Sequence, residues 1–137
     1  MLRFGYLLLN EGRWQHEQIV LAWYVRHATR KSSYNPHYPY SLQFDVNTDG
    51  DISDLPRDAH WKSGSGGHAL YVVPSLNLVV WKFGGRDGQY EQRDTGMVVH
   101  PDAARSADPR EGWRQTVDDR TAVHETLRKV IAAIETP

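Results

Sequence analysis

The segment HALYVVPSLNLVVW, residues 68–81, decides the fold. Two β-rich runs, 68–73 and 78–83, flank PSLN, a connection of hairpin length. Apart from Lys82 the second run is apolar on both faces, which predicts a strand inside a covered sheet rather than at a wet edge. Immediately upstream, HWKSGSGG (60–67) sets a Lys-Ser-Gly triplet and a glycine cluster against that hairpin.

Upstream of this stretch, Tyr40, Leu42, Phe44 and Val46 alternate through 38–46 and predict another strand. NTDG (47–50) supplies turn residues, and a polar connector, 51–59, leads to His60. Near the N-terminus Leu2, Tyr6 and Leu9 recur at helical spacing, with Phe4, Leu7 and Leu8 beside them. Asn10 and Gly12 supply the stop. The apolar run ends at Leu9 with no Ala-x-Ala pattern behind it, so it reads as a structural helix and not as an export signal. A second helix is expected over 17–29, with Ile19, Ala22 and Trp23 on one side. Arg26, His27, Arg30 and Lys31 stand where the helix dipole favours cations. SSYNPHYP (32–39), with two prolines, ends that helix.

Downstream, 84–112 is rich in Gly, Arg, Asp and Pro, a connection expected on the surface or over a site. An amphipathic helix closes the chain over 118–135, with Val123, Leu127, Ile131 and Ile134 as its stripe and Asp118 or Asp119 as its cap. The order is helices, strands and a final helix. It predicts one α+β region, 1–137, an antiparallel sheet with flanking N- and C-terminal helices.

Composition removes several classes of function. The 137 residues suffice for one core. Sixteen basic residues stand against seventeen acidic ones, so no global basic field argues for nucleic acid. Arg105, Arg110, Arg114 and Arg120 are balanced by acids and read as a solvated face. Without cysteine there is no disulfide framework, thiolate zinc site or thiol nucleophile. The apolar runs around 7–9 and 78–81 are too short to span a membrane. No phosphate-binding glycine loop and no Gly-x-Ser-x-Gly elbow occurs.

The Lys62-Ser63-Gly64 triplet carries the chemistry that can be argued. A lysine on a strand beside a cleft offers a cation to a substrate carboxylate, a serine hydroxyl offers a hydrogen bond, and a glycine lets substrate approach the backbone. A backbone N–H just beyond can donate to a developing oxyanion, a contribution of roughly 3 kcal/mol. On its own the triplet is a weak signal that reads first as a solvent-exposed turn before a strand.

RFGYLLLNEGRW (3–14), YPYSLQFDVNTDGDISDLPRDAHWKSGSGGHALYVVPSLNLVVW (38–81) and the closing helix together resemble the C-terminal part of the serine β-lactamase-like family. That family includes class C β-lactamases, related esterases and amide hydrolases of the 6-aminohexanoate-dimer type. The resemblance implies the C-terminal part of a β-lactamase/transpeptidase-like fold acting on a small ester, amide or β-lactam substrate without cofactor or metal. It places Lys62-Ser63-Gly64 on the third box and the Ser65 amide on the second oxyanion donor. Lys62 and Ser63 become substrate contacts, Gly64, Gly66 and Gly67 provide clearance, and His68 lies just past the box. Family members are often exported, and the resemblance leaves the compartment unassigned.

The nucleophile box is absent. The chain's four lysines, Lys31, Lys62, Lys82 and Lys129, are preceded at three residues by Ala28, Ala59, Val79 and Thr126, so there is no Ser-x-x-Lys. Ser33-Tyr34-Asn35 and Ser75-Leu76-Asn77 match the second box formally, but both fall in turn-forming sequence. Asp45, Asn47, Asp49 and Gly50 follow the first half of a calcium loop, yet its twelfth position is Pro56 in place of glutamate. Of the seven histidines His60 and His68 bracket the glycine cluster, while His16, His27, His37, His100 and His124 are scattered. No helical i, i+4 pair or evident third zinc ligand accompanies them.

Two readings stand. In one, the chain is part of a serine hydrolase. In the other it is a non-catalytic fragment that folds, dimerises or joins a partner chain through exposed strand edges and apolar surface.

Overall fold

The computed structural model describes residues 1–35, 39–64, 68–84 and 124–135. Three helices are described: α1 (Leu2–Leu9), α2 (Ala22–Ala28) and α3 (Glu125–Glu135). A small hairpin joins β1 (Arg13–Trp14) to β2 (Glu17–Gln18). The main sheet runs β3 (Asp45–Val46), β4 (His60–Gly64), β5 (His68–Val73) and β6 (Leu78–Lys82) in that order, antiparallel throughout. The architecture is α+β, and no described helix is long and apolar enough to cross a membrane.

β5 lies at the centre because it is apolar on both faces. Ala69, Tyr71 and Val73 point to one side and join Trp61, Ile52, Leu55, Leu127 and Ile131 in the larger core. Val72 points to the other and packs with Leu8 and Val25, against which Leu9, Val20, Phe44 and Val79 also lie. Each face therefore has its own cover. The side-chain period of two in a strand demands this arrangement for an uninterrupted apolar run. β6 is half-buried along its length, so β5, not the second run of the hairpin, is the fully covered strand. The turn between them is a short 3-10 helix, Pro74–Leu76, closed by Asn77 in the left-handed conformation. Ser75 is held there by Asp58, to which its hydroxyl donates at 2.8 Å. Ser75-Leu76-Asn77 is thus a turn, and Ser33-Tyr34-Asn35 is another, with Tyr34 fully in solvent.

α1 forms where its spacing predicts and stops where Asn10 and Gly12 predict. The Asn10 side-chain amide donates to the Tyr6 carbonyl at 2.8 Å, and Gly12 takes a φ of 84°. Other expectations are corrected. The helix expected over 17–29 begins only at Ala22, because Glu17 and Gln18 pair back onto Trp14 and Arg13. The Gln18 side chain donates to the carbonyls of Glu11 and Val20, locking the chain in that hairpin. Its buried face is Val25 and Ala28, whereas Ile19 and Trp23 are exposed. The alternation expected over 38–46 yields only the two residues of β3. Ser41 and Phe44 exchange backbone hydrogen bonds and Gln43 adopts a φ of 74°, so the chain turns there before it can extend. Leu127 and Ile131 of α3 are buried as predicted, but Ile134 is exposed. Val123, the caps Asp118 and Asp119, and all of 85–112 lie outside the described residues.

Asn47 holds the connector that delivers β4. It is buried to 1% exposure, and its side-chain N–H groups are shared among the carbonyls of Ile52 (2.9 Å), Leu55 (2.9 Å) and Pro56 (3.2 Å). Its Oδ1 accepts from the Ile52 N–H at 3.0 Å. The connector is fastened to α3 by Arg128, whose guanidinium reaches both oxygens of Asp54 and holds that carboxyl below its ordinary range.

Two stability outcomes follow from these contacts. A Cβ on Gly5 would lie 2.4 Å from Val79 Cγ1 and 3.0 Å from Leu70 Cδ1, so α1 rests directly on the sheet. Gly5→Ala should lower stability by about 1–2 kcal/mol, the overlap outweighing the ~1 kcal/mol gain in helix propensity. In urea unfolding the cost should shrink when Val79→Ala is present as well. Asn47→Ala leaves buried carbonyls without donors and should cost about 2–3 kcal/mol by the same measurement.

Candidate functional site

β4 presents the Lys-Ser-Gly triplet along a paired strand. Lys62 stands opposite Leu70, Ser63 opposite Ala69 and Gly64 opposite His68. Directly opposed residues share a face, and successive ones alternate. Lys62, Gly64 and His68 consequently belong to the face covered further along by α1. Ser63 belongs to the face that carries Trp61 and Tyr71 toward α3. A ligand touching both Lys62 and Ser63 must therefore lie along the edge of β4. The β5 side of that strand is occupied by the ladder, so this edge is the one toward β3, whose pairing reaches only His60 and Trp61.

Lys62 is exposed at this edge, and its cation is held by Tyr40. The ammonium lies 3.5 Å from the Tyr40 hydroxyl and 5.8 Å from its ring centroid. Tyr40 reaches this position because the 41–44 turn folds it back to bridge Asp45. Sequence alternation places Tyr40 only in a strand over 38–46 and does not reveal this contact. Ser63 is half-buried on the opposite side. Ser65, Gly66 and Gly67, expected to provide the oxyanion donor and clearance, lie outside the described residues.

The two histidines bracketing the glycine cluster have separate environments. His60 is buried to 2% exposure, edge-on to Phe44, with Nδ1 3.1 Å from the Asp58 carbonyl. Its Nε2 is buried and has no hydrogen-bond partner among the described residues. His68 is half-buried and stacks on Trp81 at 5.8 Å, with Phe83 edge-on to it at 5.1 Å. His124 packs within aromatic distance of Trp61 and Tyr71, 4.6 and 6.1 Å away. Among the described residues no three His, Asp or Glu side chains gather as a metal set. The calcium-like pattern at 45–50 serves the fold. The Asn47 oxygen is taken by Ile52, and Asp49 is paired with Lys31.

The chain matches no protein-family model and no curated protein.

Burial lowers the pKa of His60 below its ordinary 6.5, against weaker opposing effects from the Asp58 carbonyl and carboxylate. The folded state thus binds this proton less readily than the unfolded state. Stability from His60 is complete above the unfolded value and is lost as pH falls through that value toward the folded one. The urea midpoint should drop between about pH 7.5 and about pH 5.5, and His60→Asn should flatten part of that slope.

Proposed function

We propose that this chain is the C-terminal part of a serine hydrolase of the β-lactamase-like kind, supplying the substrate-binding and oxyanion wall of an active site. The observation that carries the reading is the position of Lys62-Ser63-Gly64 on β4, an inner strand of an antiparallel sheet with helices on both faces. An exposed lysine at that strand edge is where a substrate anion can be met without burying an unpaired charge. The sequence resemblance over 3–14, 38–81 and the closing helix supports the same reading.

In the proposed reaction, a serine from a nucleophile-bearing part attacks the carbonyl of an ester, amide or β-lactam. The carbonyl oxygen becomes an oxyanion, and the leaving group departs with the serine's proton. Water then hydrolyses the acyl-serine ester. Here the Ser65 N–H donates to the oxyanion, and Gly64 permits close approach of the carbonyl. Lys62 pairs with a substrate carboxylate or carbonyl, Ser63 contacts the substrate from the other side of the edge, and Gly66 and Gly67 leave room. The reaction so written needs no metal or organic cofactor.

A second reading, a non-catalytic interaction module, is favoured by one observation. Leu2, Phe4, Tyr6, Leu21, Trp23 and Tyr24 are all exposed on α1, α2 and the segment leading into α2. Such a collection is suited to a second copy or a partner chain.

The two readings separate in one set of assays. Alone, the chain should leave chromogenic esters and β-lactams intact. With a Ser-x-x-Lys segment encoded upstream or alongside it, hydrolysis should appear, and Lys62→Ala should lower kcat/KM about tenfold. Absence of turnover in every combination, together with a light-scattering mass of a dimer that Trp23→Glu dissolves, supports the interaction module. Turnover by the chain alone that survives Ser63→Ala and Ser65→Ala overturns both.

A further inference from the structure

We infer that Tyr40 is the positioning residue for Lys62, and that the two form a seat for a carboxylate at the β3-side edge of β4. The inference rests on Lys62 being a substrate contact. It narrows that contact to an anion and adds the residue that places it.

Register alone would separate the pair. Tyr40, Asp45 and Trp61 are opposed in turn, which puts them in one row on the Ser63 side of the sheet. Lys62 is the next residue of β4 and leaves on the α1 side. The 41–44 turn lets them meet. Gln43 takes a φ of 74° and Ser41 bonds to Phe44, so β3 starts only at Asp45. Among the described residues no strand then stands opposite Lys62 on that side. The lysine stem bends round the edge, and its ammonium lies 3.5 Å from the Tyr40 hydroxyl and 5.8 Å from the ring centroid.

Tyr40 gives Lys62 a neighbour that leaves its charge intact. Lys31 and Lys129 are paired with Asp49 and Glu125, and Lys82 donates to the Gly84 carbonyl. Lys62 meets a phenol instead, and no carboxylate pairs with it among the described residues. A π face attracts a cation without neutralising it. The ammonium is the donor in this contact, so the phenolic hydrogen is left to point elsewhere. Two donors, one of them charged, therefore stand side by side at an exposed lysine. A carboxylate can accept from both, one oxygen to each. A neutral carbonyl brings one oxygen and no charge, so the pair selects an anion.

Holding the ammonium also prepares it. A lysine stem has large rotamer freedom, and restraining it before the anion arrives removes part of the ordering cost of binding. A cation–π contact at an exposed site corresponds to about a twofold to fivefold change in affinity.

The test uses the full 137-residue chain with lysine labelled by 13C at Cε, titrated with butyrate and with butyramide as its neutral counterpart. The Lys62 signal is the one that Lys62→Met removes. Before any ligand is added, the Tyr40 ring should displace that signal in the parent chain and in Tyr40→Phe. In Tyr40→Leu it should return to the position of a freely rotating lysine. Butyrate should move it saturably, and butyramide should not. Tyr40→Phe keeps the ring and loses the hydroxyl, and should weaken butyrate binding about twofold; Tyr40→Leu should weaken it about fivefold. The signals of Lys31, Lys82 and Lys129 report whether each variant is folded. If Tyr40→Leu unfolds the chain, the loss in Tyr40→Phe carries the test. A Lys62 signal unchanged in folded Tyr40→Leu, equal response to butyrate and butyramide, or butyrate affinity unchanged in Tyr40→Phe would each overturn the inference. The readout is binding by this chain, so it is independent of any nucleophile. Butyrate binding that follows Tyr40, with no hydrolysis in any combination, retains the seat and removes the hydrolase reading. Hydrolysis indifferent to Tyr40→Phe and to a carboxylate on the substrate does the reverse.

Discussion

A strand that is apolar on both sides cannot be left with one face in water, and β5 is that strand. Ala69, Leu70, Tyr71, Val72 and Val73 are all buried, and their alternation sends side chains to both faces. The described helices and the connector before β4 cover one face or the other. α1 is close enough to the sheet that Gly5 admits no side chain, and α2 adds Val25 behind it. On the opposite face α3 contributes Leu127 and Ile131, and the connector before β4 contributes Ile52 and Leu55. Burial of this kind, at ~25 cal/mol per Å² of apolar surface, is the main favourable contribution to folding such a sheet.

The connector also shows how a motif that looks chemical can be structural. Asp45, Asn47 and Asp49 carry the residue types of a cation loop, but Asn47 turns inward and satisfies the backbone of 52–56. A buried amide with donor and acceptor both matched can hold a connector lacking regular structure, because the carbonyls it bonds would otherwise be buried without donors. By placing 52–56 it also places Ala59 and the start of β4. The Lys-Ser-Gly triplet thus depends on a side chain more than ten residues earlier in the chain.

Much of this was legible in the residues. The hairpin at 68–82, the helix at Leu2–Leu9 and the burial of Leu127 and Ile131 in α3 follow from periodicity. The errors came where local hydrogen bonds override propensity. Gln18 donates to two carbonyls and turns 13–18 into a hairpin, where spacing alone suggests helix. Ser41 and Phe44 close a turn inside what alternation reads as a strand. At the candidate site, the triplet and His68 were visible as residue types at a strand edge. Tyr40 was not, because its approach to Lys62 is made by a turn and spans 22 positions of sequence.

By itself, then, the sequence determined the class of fold, the central hairpin and the absence of a Ser-x-x-Lys nucleophile, because these depend on composition and on short-range period. Tertiary structure alone decided that Lys62 and Ser63 leave β4 on opposite faces with a shared edge between them. It also decided that β3 stops short of Lys62, so that Tyr40 reaches its ammonium. Those relations are set by strand register, and register is established only when two faces of β5 are buried at once.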